Sequence, residues 1–462
     1  MNSLRELLTL YNRKQFPSPP SSYKVVLRVY ADRRERWMSL RDYRQMLVLM
    51  AFLMTGLTTA MGDEKLSANL IIIEHGDPLY TYWGHIGIAM ENHQSNENLF
   101  YDFGNFTFYS EHFYWNFLMG RMIYLGYVIP TENLLSTTQG ENRNVTMYRL
   151  NLGNEELEEL DRILRWWVLP ENREYLYDYY HYNCSTVIRD ILDTLVQGEL
   201  RRRSETQPDK TYRHYTRTGS FPSFFSELLL HYLLGPKLDE PISWWDKMFL
   251  PQSIADFGSK LIYTGADGVT RQLVGEKTVL MTSDRPPVPD EPRALWLPML
   301  IMGIAAGSIW MLSGRISLSP HCHKVLQTAA LVSRIIITVL IGFSGLVLGF
   351  LMTFTDHTAA YANINIGPAF PTVLLGLFLL MTPKRRPGNR RREKMLSWLW
   401  TINLVGLIAA MLLRATGLSI QDAYAFWAFF APLNLAASRF GLWIGDRWLA
   451  HLLPAGNSEV PT

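Results

Sequence analysis

Read for its apolar and polar positions, the chain falls into two unlike halves. Residues 63–290 mix the two classes in the manner of a globular domain, whereas 294–446 are dominated by long apolar stretches. Those stretches centre on 294–312, 328–353, 369–382, 396–413 and 423–445, and each is read as a membrane helix against the roughly 20 residues a span needs. The third, "AFPTVLLGLFLLMT", is short and depends on its flanks. Ahead of both halves, "MLVLMAFLMTGLTTAMG" (46–62) is apolar and uncharged. It fits either a signal peptide or a retained N-terminal anchor.

Two local patterns stand out in the globular half. Downstream of "YYHYNC", apolar residues fall at Val187, Ile188, Ile191, Leu192, Leu195 and Val196, which is helical spacing with one buried face. Asn183 is placed to cap that helix, with Ser185 and Thr186 in its first turn and Cys184 at the first helical position. Upstream, "YWGHIGIAM" (82–90) and "NLFYDFGNF" (98–106) read as strands of a hairpin turning through 91–96. That turn pairs Met90 with Glu97 and His85 with Asp102, which puts the last two on one face. A one-residue slip would separate them.

Charge fixes the topology. Residues 1–45 end in a basic cluster (Arg33, Arg34, Arg36, Arg41, Arg44), which holds the N-terminus in the cytoplasm and sends residue 63 onward across the membrane. The loop after the first apolar stretch carries Arg315 and Lys324, and "PKRRPGNRRREK" (383–394) carries seven basic residues. The intervening loop "TDHTAAYANINIG" (355–367) has no Lys or Arg, so the alternation follows the positive-inside rule. Overall, 44 Lys and Arg against 42 Asp and Glu leave a net charge of +2, which argues against nucleic-acid binding through bulk charge. Of the two cysteines, Cys322 falls on the cytoplasmic side and Cys184 on the exported side, so they do not pair.

A lone exported thiol at a helix start is a candidate nucleophile. The helix dipole there favours a thiolate, and the first-turn amides around Asn183 and Ser185 suit an oxyanion. Taken alone, His85 reads as a half-buried strand histidine; beside Cys184 and Asp102 it reads as a general base oriented by a carboxylate. His181 is the alternative base, and His75 belongs to the strand end and loop that precede. "SPHCHK" reads as an ordinary cytoplasmic loop, and nothing in the pattern calls for a metal or cofactor. Tyr212 and Arg213 are candidates for phosphate binding, while Arg189 pairs locally or faces solvent. Asp356, His357, Asn363 and Asn365 lie in the outward loop, as substrate-binding residues or as a connector. The segments 106–129, 221–235 and 242–251 are aromatic enough to seek a membrane interface, with Trp244 and Trp245 as anchors, or else to pack in a core.

"GDPLYTYWGHIGIAM", "LFYDFGNF", "YDYYHYNCSTVIRDIL", "TYRHYT" and "LLGPKLDEPISWWDKMFLPQSI" resemble, in order and spacing, landmarks of the Lnb N-terminal periplasmic domain family over roughly 64–285. "TDHTAAYANINIGP" is similar to a segment of full-length members. The family is related to circularly permuted NlpC/P60 papain-like proteins, in which histidine precedes cysteine. The resemblance implies an α+β papain-like extracytoplasmic domain plus an α-helical transmembrane bundle. It divides the chain into a cytoplasmic basic segment (1–45), the signal peptide or anchor (46–62), a periplasmic thiol acyltransferase domain (63–293), a five-helix membrane domain (294–446) and a cytoplasmic tail (447–462). It further implies N-acylation of lipoproteins at the bacterial inner membrane. A fatty acyl chain would pass from a phospholipid to Cys184 as a thioester, and then to the α-amine of a diacylated lipoprotein acceptor. Two other readings stay open at this level: a papain-like hydrolase of cell-wall peptides or lipid esters, and a non-catalytic membrane assembly factor.

Overall fold

A stretch in which all eight positions are buried, "LSANLIII", Ser67 and Asn69 included, forms the central strand of the molecule. In the computed structural model, which describes residues 65–106, 111–318, 322–382 and 390–444, this strand is β1 (Leu66–Ile73). The others of its sheet are β2 (His85–Asn92), β3 (Glu97–Asn105), β4 (Ile123–Pro130), β5 (Val145–Leu150), β6 (Glu174–Leu176) and β7 (Val274–Met281). The order is β7-β5-β1-β2-β3-β4-β6, antiparallel throughout. Because β1 lies in the middle with both faces covered, its second half, 70–73, is continuously apolar, and Ser67 and Asn69 of its first half are buried too. The basic segment 1–45, the apolar segment 46–62 and the tail from 445 onward lie outside the described residues.

The helices follow from the same patterning. α1 (Phe113–Met119) is apolar and exposed; α2 (Asn154–Trp167) and α3 (Cys184–Leu195) are amphipathic; α4 (Tyr212–Gly219) and α5 (Phe224–Leu233) lead toward the membrane half. One sheet face, with Leu70, Ile72, Ile86, Ile88, Tyr101 and Phe103, packs against Leu157, Leu160 and Leu164 of α2 and Val187, Ile188, Ile191 and Leu192 of α3. The predicted periodicity of the cysteine helix is the one observed. Trp244 and Trp245, expected as membrane anchors or core, are core: Trp245 is buried beneath the Arg189 guanidinium, 4.0 Å from its ring centroid, and Trp244 packs against the same cluster. Arg189 is accordingly buried rather than solvated, donating to the Trp245 carbonyl at 3.1 Å and pairing with Asp190.

Among the described residues, four segments are long and apolar enough to cross a membrane, namely Trp296–Ser317, Lys324–Phe354, Ile364–Met381 and Arg390–Ala415, and a fifth apolar helix, Tyr424–Ala437, is shorter. We designate the helices α6 (Trp296–Leu318), α7 (Lys324–Phe354), α8 (Gly376–Met381), α9 (Arg390–Ala415) and α10 (Tyr424–Ala437). The third span, short in sequence, is broken: Pro368 and Pro371 interrupt it, and only its last turns form α8. The carbonyl freed at Pro368 receives two buried carboxamides, Asn403 Nδ2 at 3.1 Å and Asn434 Nδ2 at 2.9 Å. Such repair is what permits irregular backbone inside a bundle. Arg334 and Glu393 form a buried bidentate pair at 3.0 and 2.9 Å, with Arg334 over Trp310.

The described residues constitute one compact unit. Tyr232 of α5 packs on Phe426 and Phe430 of α10 and contacts Ser344 Oγ of α7 at 3.2 Å. The proline-rich connection 284–293 is tied down along its length: Arg285 pairs with both oxygens of Asp77 at 2.6 and 2.8 Å, Glu291 with Lys210, and Arg293 with Glu227 at 3.2 Å.

The Leu234 carbonyl is a hub of this junction, accepting Arg213 Nη2 at 2.8 Å, Gln421 Nε2 at 3.1 Å and Asn363 Nδ2 at 3.2 Å. Arg213 also forms a fork with Asp239 at 2.7 and 2.8 Å and donates to the carbonyls of His231 and Gly235. Removing one partner of such a buried pair strands the other. Arg213→Met should therefore lower stability by about 3–5 kcal/mol, read as a fall in the unfolding temperature of the detergent-solubilised protein.

Candidate functional site

α3 begins where its sequence says it should. The Asn183 carboxamide oxygen accepts from the amides of Ser185 and Thr186, both at 2.9 Å, and Thr186 Oγ1 accepts from the Asn183 amide at 2.7 Å. The carboxamide nitrogen donates to Tyr179 O and Phe249 O, each at 3.0 Å. Every hydrogen-bonding atom of the side chain is engaged, so Asn183 and Ser185 serve as cap and first turn. The Ser185 and Thr186 amides are taken by that cap; the Cys184 amide is not. Cys184 stands at the first helical position with its side chain partly exposed, and both cysteines are free thiols.

His85 opens β2, and its hairpin register differs from the expected one by two residues. Asn92 pairs with Glu97, Met90 with Leu99 and Gly87 with Asp102. The turn is tighter at its tip than the sequence suggested: Asn92 Oδ1 accepts from Gln94 N and Ser95 N at 3.0 and 3.1 Å, and Asn96 takes φ +56°. A two-residue shift preserves parity, so His85 and Asp102 remain on one face, now as diagonal neighbours. His85 Nε2 lies 2.9 Å from Asp102 Oδ1, each side chain about one-fifth exposed (21% and 19%). The approach is oblique rather than that of a linear hydrogen bond. A register irregularity between Asp102 and Asn105 breaks the β3–β4 ladder beside the pair, a device that re-aims side chains near sites.

Gly104 belongs to the site because of what a side chain there would meet. A Cβ would stand 2.5 Å from His85 Cε1, so the imidazole occupies the space a larger residue needs. Gly104 N also donates to Asp102 Oδ1 at 2.6 Å. The sequence reading passed over this glycine; its signal was its position two residues beyond Asp102 on a strand opposite the histidine.

The electrostatics tie these groups together. Burial pulls the His85 imidazolium down, but the Asp102 carboxylate and the Cys184 sulfur outweigh it and hold its pKa well above the ordinary imidazole value. Burial raises Asp102, yet His85 and the Gly104 amide outweigh it and keep the carboxyl below its usual value. Around the sulfur, burial pushes up the phenols of Tyr124, Tyr175 and Tyr177, and the charge of Cys184 adds to the effect at each.

The remaining expected site residues are elsewhere. His181 stacks edge-on against Tyr212, with ring centroids 5.6 Å apart. His75 is buried against Phe221. Tyr212 is buried with Tyr180 and Phe249, and Arg213 is only 2% exposed with its donors consumed as described above; neither is available to a phosphate. Asn363 and Asn365 are buried as well, and both donate to the Tyr232 carbonyl, so they fasten the outward loop to α5 rather than face a substrate. Asp356 and His357 hold α1: Asp356 pairs with Arg121 at 2.7 Å, and His357 Nε2 lies 3.0 Å from Phe117 O.

An α+β domain with an imidazole and a carboxylate side by side at one end of its sheet, followed by and docked on an apolar helical bundle, defines a membrane protein with a sheet-rich domain outside the bundle. A model of the Lnb N-terminal periplasmic domain matches residues 57–218, and one of the Lnb transmembrane domain matches 307–444. With both domains in that order, the chain belongs to the Lnb-type family. It is a membrane protein with a periplasmic domain, and the membership points to a membrane enzyme that modifies lipoproteins. No curated protein and no solved structure matches the chain.

The His85 environment makes a direct prediction. Asp102→Asn removes the carboxylate that raises the imidazole, and Gly104→Ala pushes the ring away from it. In both variants the His85 ring should release its proton at lower pH than in the wild type, read by NMR titration of histidine-labelled protein. A titration unchanged in both would mean that Asp102 does not set the charge of His85.

Proposed function

We propose that the protein is a lipoprotein N-acyltransferase of the inner membrane with a Cys184–His85–Asp102 triad. The observation that carries this reading is an imidazole whose Nε2 lies 2.9 Å from the Asp102 carboxylate, beside a free thiol at the first position of a capped helix whose sulfur favours the protonated ring. In the first half-reaction the Cys184 sulfur attacks an ester carbonyl of a glycerophospholipid. The C–O bond breaks, a lysophospholipid leaves with a proton from His85, and the acyl group remains as a thioester. In the second, the α-amine of a diacylglyceryl-cysteine attacks the thioester. A C–N bond forms, the C–S bond breaks, and His85 takes the amine proton. Asp102 steadies the imidazolium in both.

The Cys184 amide, left free by the cap, is the donor placed for the oxyanion of each tetrahedral intermediate. Location supports a lipid substrate. α1 exposes Tyr114 (76%), Trp115 (58%) and Phe117 (48%) and is fastened to the loop that follows membrane helix α7. A thioester kept at such an apolar margin meets little water, which favours the amine over hydrolysis.

The test is to incubate the purified full-length protein with phospholipid vesicles and a synthetic diacylated lipopeptide. A triacylated peptide is the expected product, absent with Cys184→Ala and reduced about 10²–10⁴-fold with His85→Ala. Free fatty acid or cleaved peptide as the only product would instead establish a hydrolase.

A further inference from the structure

The polarity of α5 is inverted for a helix in water. Its charged residue points inward: Glu227 is 1% exposed and accepts from Arg217 Nη2 at 3.1 Å and from Arg293 Nη1 at 3.2 Å. His231 is equally buried, with its Nδ1 3.1 Å from Arg213 Nη1. The outward positions are apolar instead. Phe225 is 71% exposed, and Phe224 and Leu229 are exposed beside it. Phe225 and Leu229 are four residues apart and share one helix face. A helix at a water-facing surface arranges these classes the other way round, with charge outside and the apolar stripe toward the core.

The surroundings of α5 identify what its outward face meets. Leu228, Tyr232 and Leu233 of the same helix pack in the apolar cluster of the bundle, and the Tyr232 hydroxyl meets Ser344 Oγ at 3.2 Å. Ser344 stands about 15 Å along α7 from its outer end at Phe354, within the uncharged run 335–354. Arg293, the partner of Glu227, stands three residues before Trp296, where α6 begins. From there Trp296, Leu297 and Ile301 are exposed on a span, where their surroundings are lipid. The outward face of α5 therefore lies level with the outer ends of α6 and α7.

We propose that α5 lies in the plane of the membrane interface, with Phe224, Phe225 and Leu229 seated in the lipid of the periplasmic leaflet. A helix face of this kind sinks roughly 5–10 Å into the boundary between headgroups and acyl chains, while the ion pairs of Glu227 stay on the protein side. Such seating holds whatever reaction the thiol performs, and it fixes the height of the site above the lipid. The end of α4 and the turn into α5 back the start of β2. A Cβ on Gly219 would lie 2.3 Å from Trp83 Nε1, which donates to Tyr215 O at 3.3 Å, and Phe221 meets His75 edge-on with ring centroids 5.1 Å apart. Trp83 stands two residues before His85. The element that rests in lipid thus braces the strand that carries the imidazole.

The experiment uses the full chain in phosphatidylcholine vesicles, with Cys184→Ala and Cys322→Ala and one environment-sensitive fluorophore attached through Phe225→Cys, Leu229→Cys or Val269→Cys. Val269 is exposed on the hairpin 262–272, which bonds to Glu156 of α2. At 225 and 229 the emission should shift to the blue, and a lipid with a spin label at the top of its acyl chain should remove about half of it or more. Aqueous iodide should act weakly there. At 269 iodide should quench and the spin-labelled lipid should not. Iodide quenching at 225 and 229 equal to that at 269 would overturn the proposal, because the face would then be open to water. Protection from both quenchers would overturn it as well, because protein, such as a second copy of the chain, would then cover the face. Should the cysteine variants fail to fold, wild-type protein in the same vesicles is photolabelled with a phosphatidylcholine bearing a diazirine near its ester carbonyl. Adducts within 224–229 support the seating, and adducts confined to α6, α7, α8, α9 and α10 overturn it.

Discussion

The start of one helix is the constraint on which the rest of the site depends. Asn183 closes it with one carboxamide: its oxygen holds two amides of the first turn, and its nitrogen holds two carbonyls, one four residues upstream and one 66 residues downstream. A cap that only satisfied the helix would leave α3 free to shift against its surroundings. This one also ties the helix start to Phe249 O, and so fixes where Cys184 stands relative to the sheet. Because the cap consumes the Ser185 and Thr186 amides, it also leaves the cysteine's own N–H as the uncommitted donor of the first turn.

The second organising feature is the junction with the membrane bundle. Residues that look like ligands in sequence, an arginine beside a tyrosine and a polar loop rich in asparagine, are spent there on backbone carbonyls. Leu234 O receives donors from α4, from the outward loop and from the segment before α10. Buried carbonyls at the end of a helix must find donors, and long polar side chains from neighbouring segments supply them. The consequence is mechanical. The domain is held against the bundle at α1, at α5 and along the proline-rich connection, so the site keeps a fixed place beside the spans.

The His85–Asp102 hairpin shows how a shifted register still brings the two side chains together. The expected pairing was displaced by two residues, but side-chain direction alternates with period two, so parity survived. Parity is written in the sequence, because it depends on which residues are buried. The offset depends on the conformation of the 93–96 turn, where Asn92 bonds to two amides and Asn96 is left-handed, and that is decided only when the turn closes.

Local order and side-chain direction were thus legible from the chain alone. The cap and the cysteine at its first position, the face shared by His85 and Asp102, and the apolar stretches that form the bundle all rest on interactions between near neighbours or on periodicity. The roles of Arg213, Trp245, Asn363 and Asn365 were not legible. Their partners lie far along the chain: Asp239 is 26 residues from Arg213, and Tyr232 is 131 from Asn363. Whether a polar side chain binds a ligand or satisfies a buried carbonyl depends on which distant segment closes over it. Only the tertiary structure decided that, because burial is a property of the whole assembly and of no single segment.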